Sequence, residues 1–474
     1  MNTEQLRILV LLISLSLGAC GGGGDGASGG SGVGASGGGS VYTVGGTVTG
    51  LVGGGLTLSN NGGDVLDLDA NGAFTFRTAI AAGDAYAVTV STQPNSPVQT
   101  CTVSNGAGSV TGANITTVVV DCARFAFVAN SGSNDISAYL IDNTSGALTA
   151  VAGSPFATGA NPSAVTVDPS GRFAYVANAG SSNVSAYTID TTSGVLTAVA
   201  GSPFAAGANP SAVITFNSTN SGEFAYVANA GSGNISAYAI NPNTGALAAI
   251  AGSPFAAGSN PAALTFNTTG SGQFAYVVNQ SSNNVSAYSV DATSGALTAI
   301  AGSPFAAGAN PAAVNFTFNG SGFFAYVANQ NSNNVSVYSV DATSGALTAI
   351  VGSPFAAGTN PSGIAFDYFG TEEFAYVVNT GSNNVSAYAV DTTTGALTAM
   401  AGSPFPTATG PDGLSFDSSG AFAYLANRGS GSVSAFSINA TTGALTALAG
   451  SPFATGADPC AVTLPIDNFD PWGY

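Results

Sequence analysis

At 474 residues the chain has room for more than one domain, and its composition excludes several classes of partner. Only 6% of residues are charged, lysine and histidine are absent, and five arginines stand against 23 acidic residues for a net charge of -18. So few cations cannot neutralise a run of nucleic-acid phosphates, and with 45% of residues apolar and the acid spread thinly the chain is not a disordered one.

Residues 1–20, MNTEQLRILVLLISLSLGAC, have one positive charge at Arg7, an apolar run from Ile8 to Leu17 and a small-residue step before Cys20. The run is too short to cross a bilayer as a helix and predicts a signal peptide. Leu17-Gly18-Ala19-Cys20 resembles the lipobox of bacterial lipoproteins. The resemblance implies that Cys20 carries a lipid anchor to the membrane and, since Gly21 follows, that the exported chain belongs to the outer membrane. Residues 21–40 are glycine and serine with one aspartate, a flexible tether.

Residues 41–123 alternate in period two through GGTVTGL, GGLTLSNN, GAFTFRTAI, DAYAVTVST and ITTVVVDC, separated by Gly, Asn and Asp turns. They predict a small β-sandwich. The order of these runs is similar to carboxypeptidase-regulatory-like and Cna-B-like modules, which implies a spacer or stalk. Both Cys101 and Cys122 fall here, an exported context permits a disulfide between them, and Cys460 is left over.

From residue 124 to 466 one unit recurs. FAFVAN at Phe125 is followed by FAYVAN, FAYVVN or FAYLAN at Phe173, Phe224, Phe274, Phe324, Phe374 and Phe422, spaced 48 to 51 residues apart, and GSPF recurs at Gly153, Gly201, Gly252, Gly302, Gly352, Gly402 and Gly450. Each unit reads as four short antiparallel strands and a crossing loop, for instance SAVTVD, FAYVAN, NVSAYTID and VLTAVAG, then SPFAAGANP. Units of this length with four strands are propeller blades, which bury their faces against one another. The expected fold is therefore all-β, a seven-bladed β-propeller preceded by a small β-sandwich. The chain closes with CAVTLP from Cys460, an inner-strand equivalent with no blade of its own, so the last strand should complete the first blade. Residues 467–474 form a tail.

The FAYVAN and FAYVVN strands resemble the YVTN-type repeats of the seven-bladed lactonase-like propellers, a group with 6-phosphogluconolactonase-like and cycloisomerase-like members. That resemblance implies a possible lactone hydrolase or cycloisomerase. The residues do not equip one. Lactone chemistry calls for histidine, lysine, arginine or a carboxylate-held metal, and of the propeller's three arginines Arg124 and Arg172 fall at the bottom rim while Arg428 alone projects from a top-face loop. No catalytic residue is assigned, and the chain is expected to act as a binding or envelope scaffold module.

Asp142, Asp190, Asp291, Asp341 and Asp391 recur in D-x-x-x-G hairpins, where an Asx turn accounts for them. Asp135, Asp412 and Asp458 are scattered over different blades of the top face, whereas calcium, the one cofactor worth weighing, needs six to eight converging oxygens. No metal site is expected. The top face also carries asparagines, among them Asn329 and Asn379 ending second strands and Asn334 and Asn384 five positions later. Turn chemistry explains them; a ring of amides for a glycan or protein ligand is the sharper alternative. Blades six and seven depart most from the common phrase, which gathers Arg428, Asp412, Asp458 and Cys460 in one sector, the candidate ligand-binding site of an expected monomer.

Overall fold

The computed structural model describes residues 40–218, 222–318, 322–369, 372–417 and 419–465. Cys20, the tether before Ser40 and the tail lie outside these residues. Burial within a blade follows from what covers each strand. The second strand, Phe173–Asn178 in the second blade, is buried at all six positions, and the third, Asn183–Ile189, at all but two. Strands covered on both faces need no alternation of polar and apolar residues, which is why FAYVAN lacks one. The inner strand, Pro162–Val167, keeps Ser163, Ala164 and Thr166 partly open, and the outer strand, Leu196–Ala198, buries only its leucine.

All seven sheets have the order inner, second, third, outer. A short fifth strand adds to the four in each blade. After the outer strand the chain turns at the Ser-Pro of the crossing, whose peptide is cis in every blade, and a two-residue strand, Phe204–Ala205, pairs again with the start of the third strand. The outer edge is thus split in two. At the break the Ala186 backbone N–H donates to Ser202 Oγ at 2.9 Å, a side-chain oxygen standing in for a missing strand carbonyl. The same substitution recurs at Ser154, Ser253, Ser303, Ser353, Ser403 and Ser451.

Closure occurs as the sequence predicts. Pro459–Thr463 pairs antiparallel with Phe125–Asn130, matching Phe127 with Thr463 and Val128 with Val462, so the last strand is the inner strand of the first blade. In six of the seven blades a second-strand tyrosine hydroxyl ties the blade to the next, the first blade having Phe127 at that position. Tyr175, Tyr226, Tyr276, Tyr326 and Tyr376 donate to the carbonyls of Gly245, Gly295, Gly345, Gly395 and Gly443, and Tyr424 donates across the seam to Gly146 at 2.9 Å.

The N-terminal region is a sandwich of two four-stranded sheets. One runs Gly72–Thr75, Val44–Thr49, Ile115–Cys122, Cys101–Ser104; the other Asp64–Leu68, Leu56–Asn60, Ala85–Thr92, Ala107–Ser109. Val44, Val48, Leu56, Leu58, Phe76, Val118 and Val120 fill the space between them. Cys101 and Cys122 are directly opposed across neighbouring strands and form a disulfide, while Cys460 is free and buried.

The sandwich packs on the propeller's bottom rim. Val98 N–H donates to the Ser170 carbonyl at 2.8 Å, Asn143 Nδ2 donates to the Cys122 carbonyl at 2.9 Å, and Thr100 Oγ1 bonds Thr191 Oγ1 at 3.0 Å. Between the two regions Arg124 forms a buried ion pair with Asp417 and donates to Asn143, so the bottom-rim arginine joins blade one to blade seven.

Candidate functional site

The site begins with a β-bulge. Pro162 pairs with Asn178 and Ala164 with Ala177, which leaves Ser163 as an extra residue on the inner strand. The register shifts directly after the equivalent proline in the other six blades as well. Bulges re-aim side chains, and here the seven residues that follow the prolines meet around the axis: Ser163, Ser211 and Ser362, Ala262 and Ala312, Asp412, and Cys460. They line one funnel of about 500 Å³ at the end where the crossings and the turns between second and third strands converge. Those turns add a second set, among them Ala179, Ala230, Gln280 and Arg428, each the residue after the asparagine that ends its second strand.

The funnel wall is chemically uneven. Arg428 Nη1 stands 3.6 Å from Asp412 Oδ2, with half of the arginine side chain exposed. Burial pushes the Asp412 carboxyl above the usual carboxylate range, and the Arg428 charge opposes the shift. Cys460 adjoins this pair. Its Sγ donates to the Pro162 carbonyl at 3.2 Å, and burial, with the Asp412 charge adding and Arg428 opposing, pushes the thiol up to about 12. Burial therefore favours the neutral thiol form of Cys460.

Blade order places the funnel-lining Asn260 and Gln280 across the ring from these groups, in an amide network with Asn310 and Gln330. Asn260 Nδ2 donates to Gln280 Oε1 at 2.8 Å, Gln280 Nε2 to Gln330 Oε1 at 3.1 Å, and Asn310 Nδ2 to the same Gln330 oxygen at 3.1 Å. The sixth blade contributes hydroxyls, Thr380 Oγ1 donating to the Pro411 carbonyl at 2.6 Å and standing 2.8 Å from Ser362 Oγ.

At Asn329 and Asn379 the side chains make local hydrogen bonds, as the turn reading expects, and do not form a ring of amides open to a ligand. Asn329 and Asn379 are fully buried and face neither solvent nor the funnel. Asn379 Nδ2 donates to Asn384 Oδ1 and Ser386 Oγ, both at 2.9 Å, and its Oδ1 accepts from Gly358 N–H at 3.0 Å. Asn329 clamps Asn334 and Ser336 in the same way. These asparagines fasten the second strand to the third, and in Asn379 to the crossing as well. The crossing comes so close that a Cβ on Gly358 would fall 2.6 Å from the Asn379 side chain. Asn334 and Asn384 are partly exposed, with Oδ1 already engaged as acceptor.

Of the top-face acids only Asp412 reaches the funnel. Asp135 accepts from Asn130 Nδ2 at 2.7 Å, filling the clamp position that asparagine holds in most other blades. Asp458 is exposed in the last crossing with φ of 52°, the left-handed turn conformation adopted by Asn161 and Asn209 before their prolines. The hairpin aspartates are Asx turns, Asp142 Oδ1 accepting from Ser145 N–H at 2.8 Å, and such bonds hold their carboxyls below the usual range. Sequence reasoning therefore found Arg428, Asp412 and Cys460 but missed Gln280, Ser163, Ser211 and Ser362. A signal for them exists: the positions after FAYVxN and after the loop proline vary from blade to blade inside phrases that otherwise repeat.

A family model described as "Lactonase, 7-bladed beta-propeller" matches the chain over residues 89–215, 204–316, 306–366 and 356–462. Among solved structures, a putative 6-phosphogluconolactonase from Bacteroides uniformis aligns at a TM-score of 0.59 and 19% identity, over 72% of this chain and 99% of that one. Its counterpart from Bacteroides fragilis gives 0.57 and 20%, over 72% and 98%. The periplasmic gluconolactonase of Pseudomonas aeruginosa gives 0.58 and 20%, over 72% and 99%. At these identities the likeness is one of fold. No curated protein matches the sequence.

Proposed function

The chain belongs to the family of seven-bladed lactonase propellers, and from that premise we propose that it is a binding module whose axial funnel holds a small, hydroxyl-rich molecule of at most one negative charge without turning it over. The observation that carries this reading is where the blades differ. Clamps, tyrosine latches and hairpins repeat around the ring, whereas the two columns that face the axis change: serine, alanine, aspartate and cysteine in one, and alanine, glutamine and arginine in the other. Variation confined to a concave, mostly uncharged surface with a few convergent polar groups is what ligand selection requires.

Several features support binding over catalysis. A general base with a pKa near neutrality is commonly histidine or lysine, and the chain has neither. A phosphorylated sugar acid calls for several cations, and the funnel supplies Arg428 alone, already facing Asp412. We further propose that Cys20 and the tether hold this module at the cell envelope, where the Cys20→Ser variant should leave the detergent phase of a two-phase partition.

The test is direct. Purified protein should leave the hydrolysis of 6-phosphogluconolactone and of unphosphorylated lactones at the spontaneous rate, while calorimetry with free sugars should detect binding that Gln280→Ala weakens. Turnover abolished by Asp412→Asn would instead support a lactone hydrolase with Asp412 as base, the one carboxylate among the described residues of the funnel wall.

A further inference from the structure

Among the described residues the funnel holds a single pair of opposite charges, and the geometry of that pair is unlike the other ion pair. Arg124 and Asp417 are buried, at 7% and 0% side-chain exposure, and Asn143 accepts from the same guanidinium. Arg428 and Asp412 stay open at 50% and 28%, and meet through one nitrogen and one oxygen at 3.6 Å. That is a loose contact, longer than a charge-assisted hydrogen bond and without the two-pronged fit of a structural arginine–carboxylate pair.

The surroundings of Asp412 give its carboxylate little else. Blade six brings the Ser362 hydroxyl to the Asp412 backbone carbonyl, at 3.4 Å, and the backbone of Gly363. The last strand brings the neutral thiol of Cys460, and the turn before the third strand brings Arg428. Those two are the charged or titratable groups facing Asp412, and among the described residues no hydrogen-bond donor reaches its carboxylate oxygens. A guanidinium that meets one distant oxygen and the Cys460 sulfur still has donors to spare, and a carboxylate supported by that guanidinium alone is readily protonated once the guanidinium turns elsewhere.

We propose that Asp412 is a resident counter-ion which a ligand carboxylate displaces from Arg428, so that the funnel selects hydroxylated monocarboxylates, the class of the sugar acids, and takes up a proton as they bind. The inference rests on the funnel being the binding site. Charge balances at each stage: the ligand brings one negative charge, Asp412 accepts one proton from solvent, and Arg428, Asp412 and ligand together keep the zero net charge of the original pair. The uncharged amides and hydroxyls around the rest of the ring meet the ligand's hydroxyls.

The probes are glucuronate and glucose, which differ at one carbon, carboxylate against hydroxymethyl. Their affinities for the full chain are measured by calorimetry at about pH 5.5 and about pH 8, where glucuronate is ionised throughout. In the wild type the preference for glucuronate should rise about tenfold on going to the lower pH, and heats in two buffers of unlike ionisation enthalpy should show proton uptake. Asp412→Asn should raise the preference at the higher pH about tenfold and remove its pH dependence. Arg428→Gln should abolish the preference at both. A wild-type preference that ignores pH, or one that Asp412→Asn leaves unchanged, overturns the proposal. Binding of glucose without glucuronate overturns it while leaving the funnel as a binding site; binding of neither, with both variants folded by circular dichroism, overturns both.

Discussion

Replacing Asn379 with alanine separates a clamp from a ligand contact. The side chain is fully buried and makes three hydrogen bonds, giving two to Asn384 and Ser386 and taking one from the Gly358 backbone. Each neutral bond contributes about 1 kcal/mol net, so about 3 kcal/mol should be lost. Two of the abandoned groups, Asn384 and Gly358, are partly exposed and regain water, which keeps the cost from rising further. The loss should be local before it is global, because Gly358 belongs to the crossing from blade five to blade six and a repeat ring frays at its weakest interface. Amide exchange is the suitable assay: Gly358 should lose protection by about two orders of magnitude, the rate equivalent of about 3 kcal/mol, and the urea midpoint should fall with little change in slope. Protection at Gly358 unchanged, or destabilisation below about 0.5 kcal/mol, would refute the clamp and return Asn379 to the list of possible ligand contacts.

Three further outcomes follow from other parts of the molecule. Glu223 is pushed up to about 7 from an ordinary 4.5, by burial first and by neighbouring Asp168 next, with Arg172 opposing. Between those values the unfolded chain releases the proton that the folded chain keeps, so stability should fall as pH rises through this window, and Glu223→Gln should flatten the urea midpoint against pH. Cys460, pushed up to about 12, should resist iodoacetamide at neutral pH in the native protein and react fully once unfolded; stoichiometric native labelling would contradict its burial. Asp417→Asn leaves Arg124 buried without a counter-charge and should cost about 3 kcal/mol, seen as a lower melting temperature and as proteolysis at the join between sandwich and propeller.

Recurrence makes much of the fold legible in the sequence. A strand that pairs with its neighbour in sequence, and a blade that packs on the next, are set by interactions close along the chain, so FAYVAN, the Asp-to-Gly hairpins and the GSPF phrase announce themselves by recurrence. Even the ring closure is readable, because an inner strand after Cys460 with no successor matches a first blade that begins at Phe125. The split outer strand was hidden, since Phe204–Ala205 is two residues long and its return to the third strand depends on Ser202 replacing a carbonyl.

The candidate site divides along the same physical line. Arg428 and Asp412 stood out in the sequence because they break a nearly uncharged pattern, while Asn329 and Asn379 misled because a residue at a strand end reads as surface until the crossing is seen to cover it. Gln280, Ser163, Ser211 and Ser362 lie far apart along the chain and share only a column of the repeat. A one-residue bulge after each proline turns that column toward the axis, and closing seven blades into a ring brings its members to one wall. Sequence alone determined what each blade is, because recurrence and strand pairing act between neighbours. Only the tertiary structure decided which side chains meet, because convergence on an axis is a property of the closed ring and of no single blade.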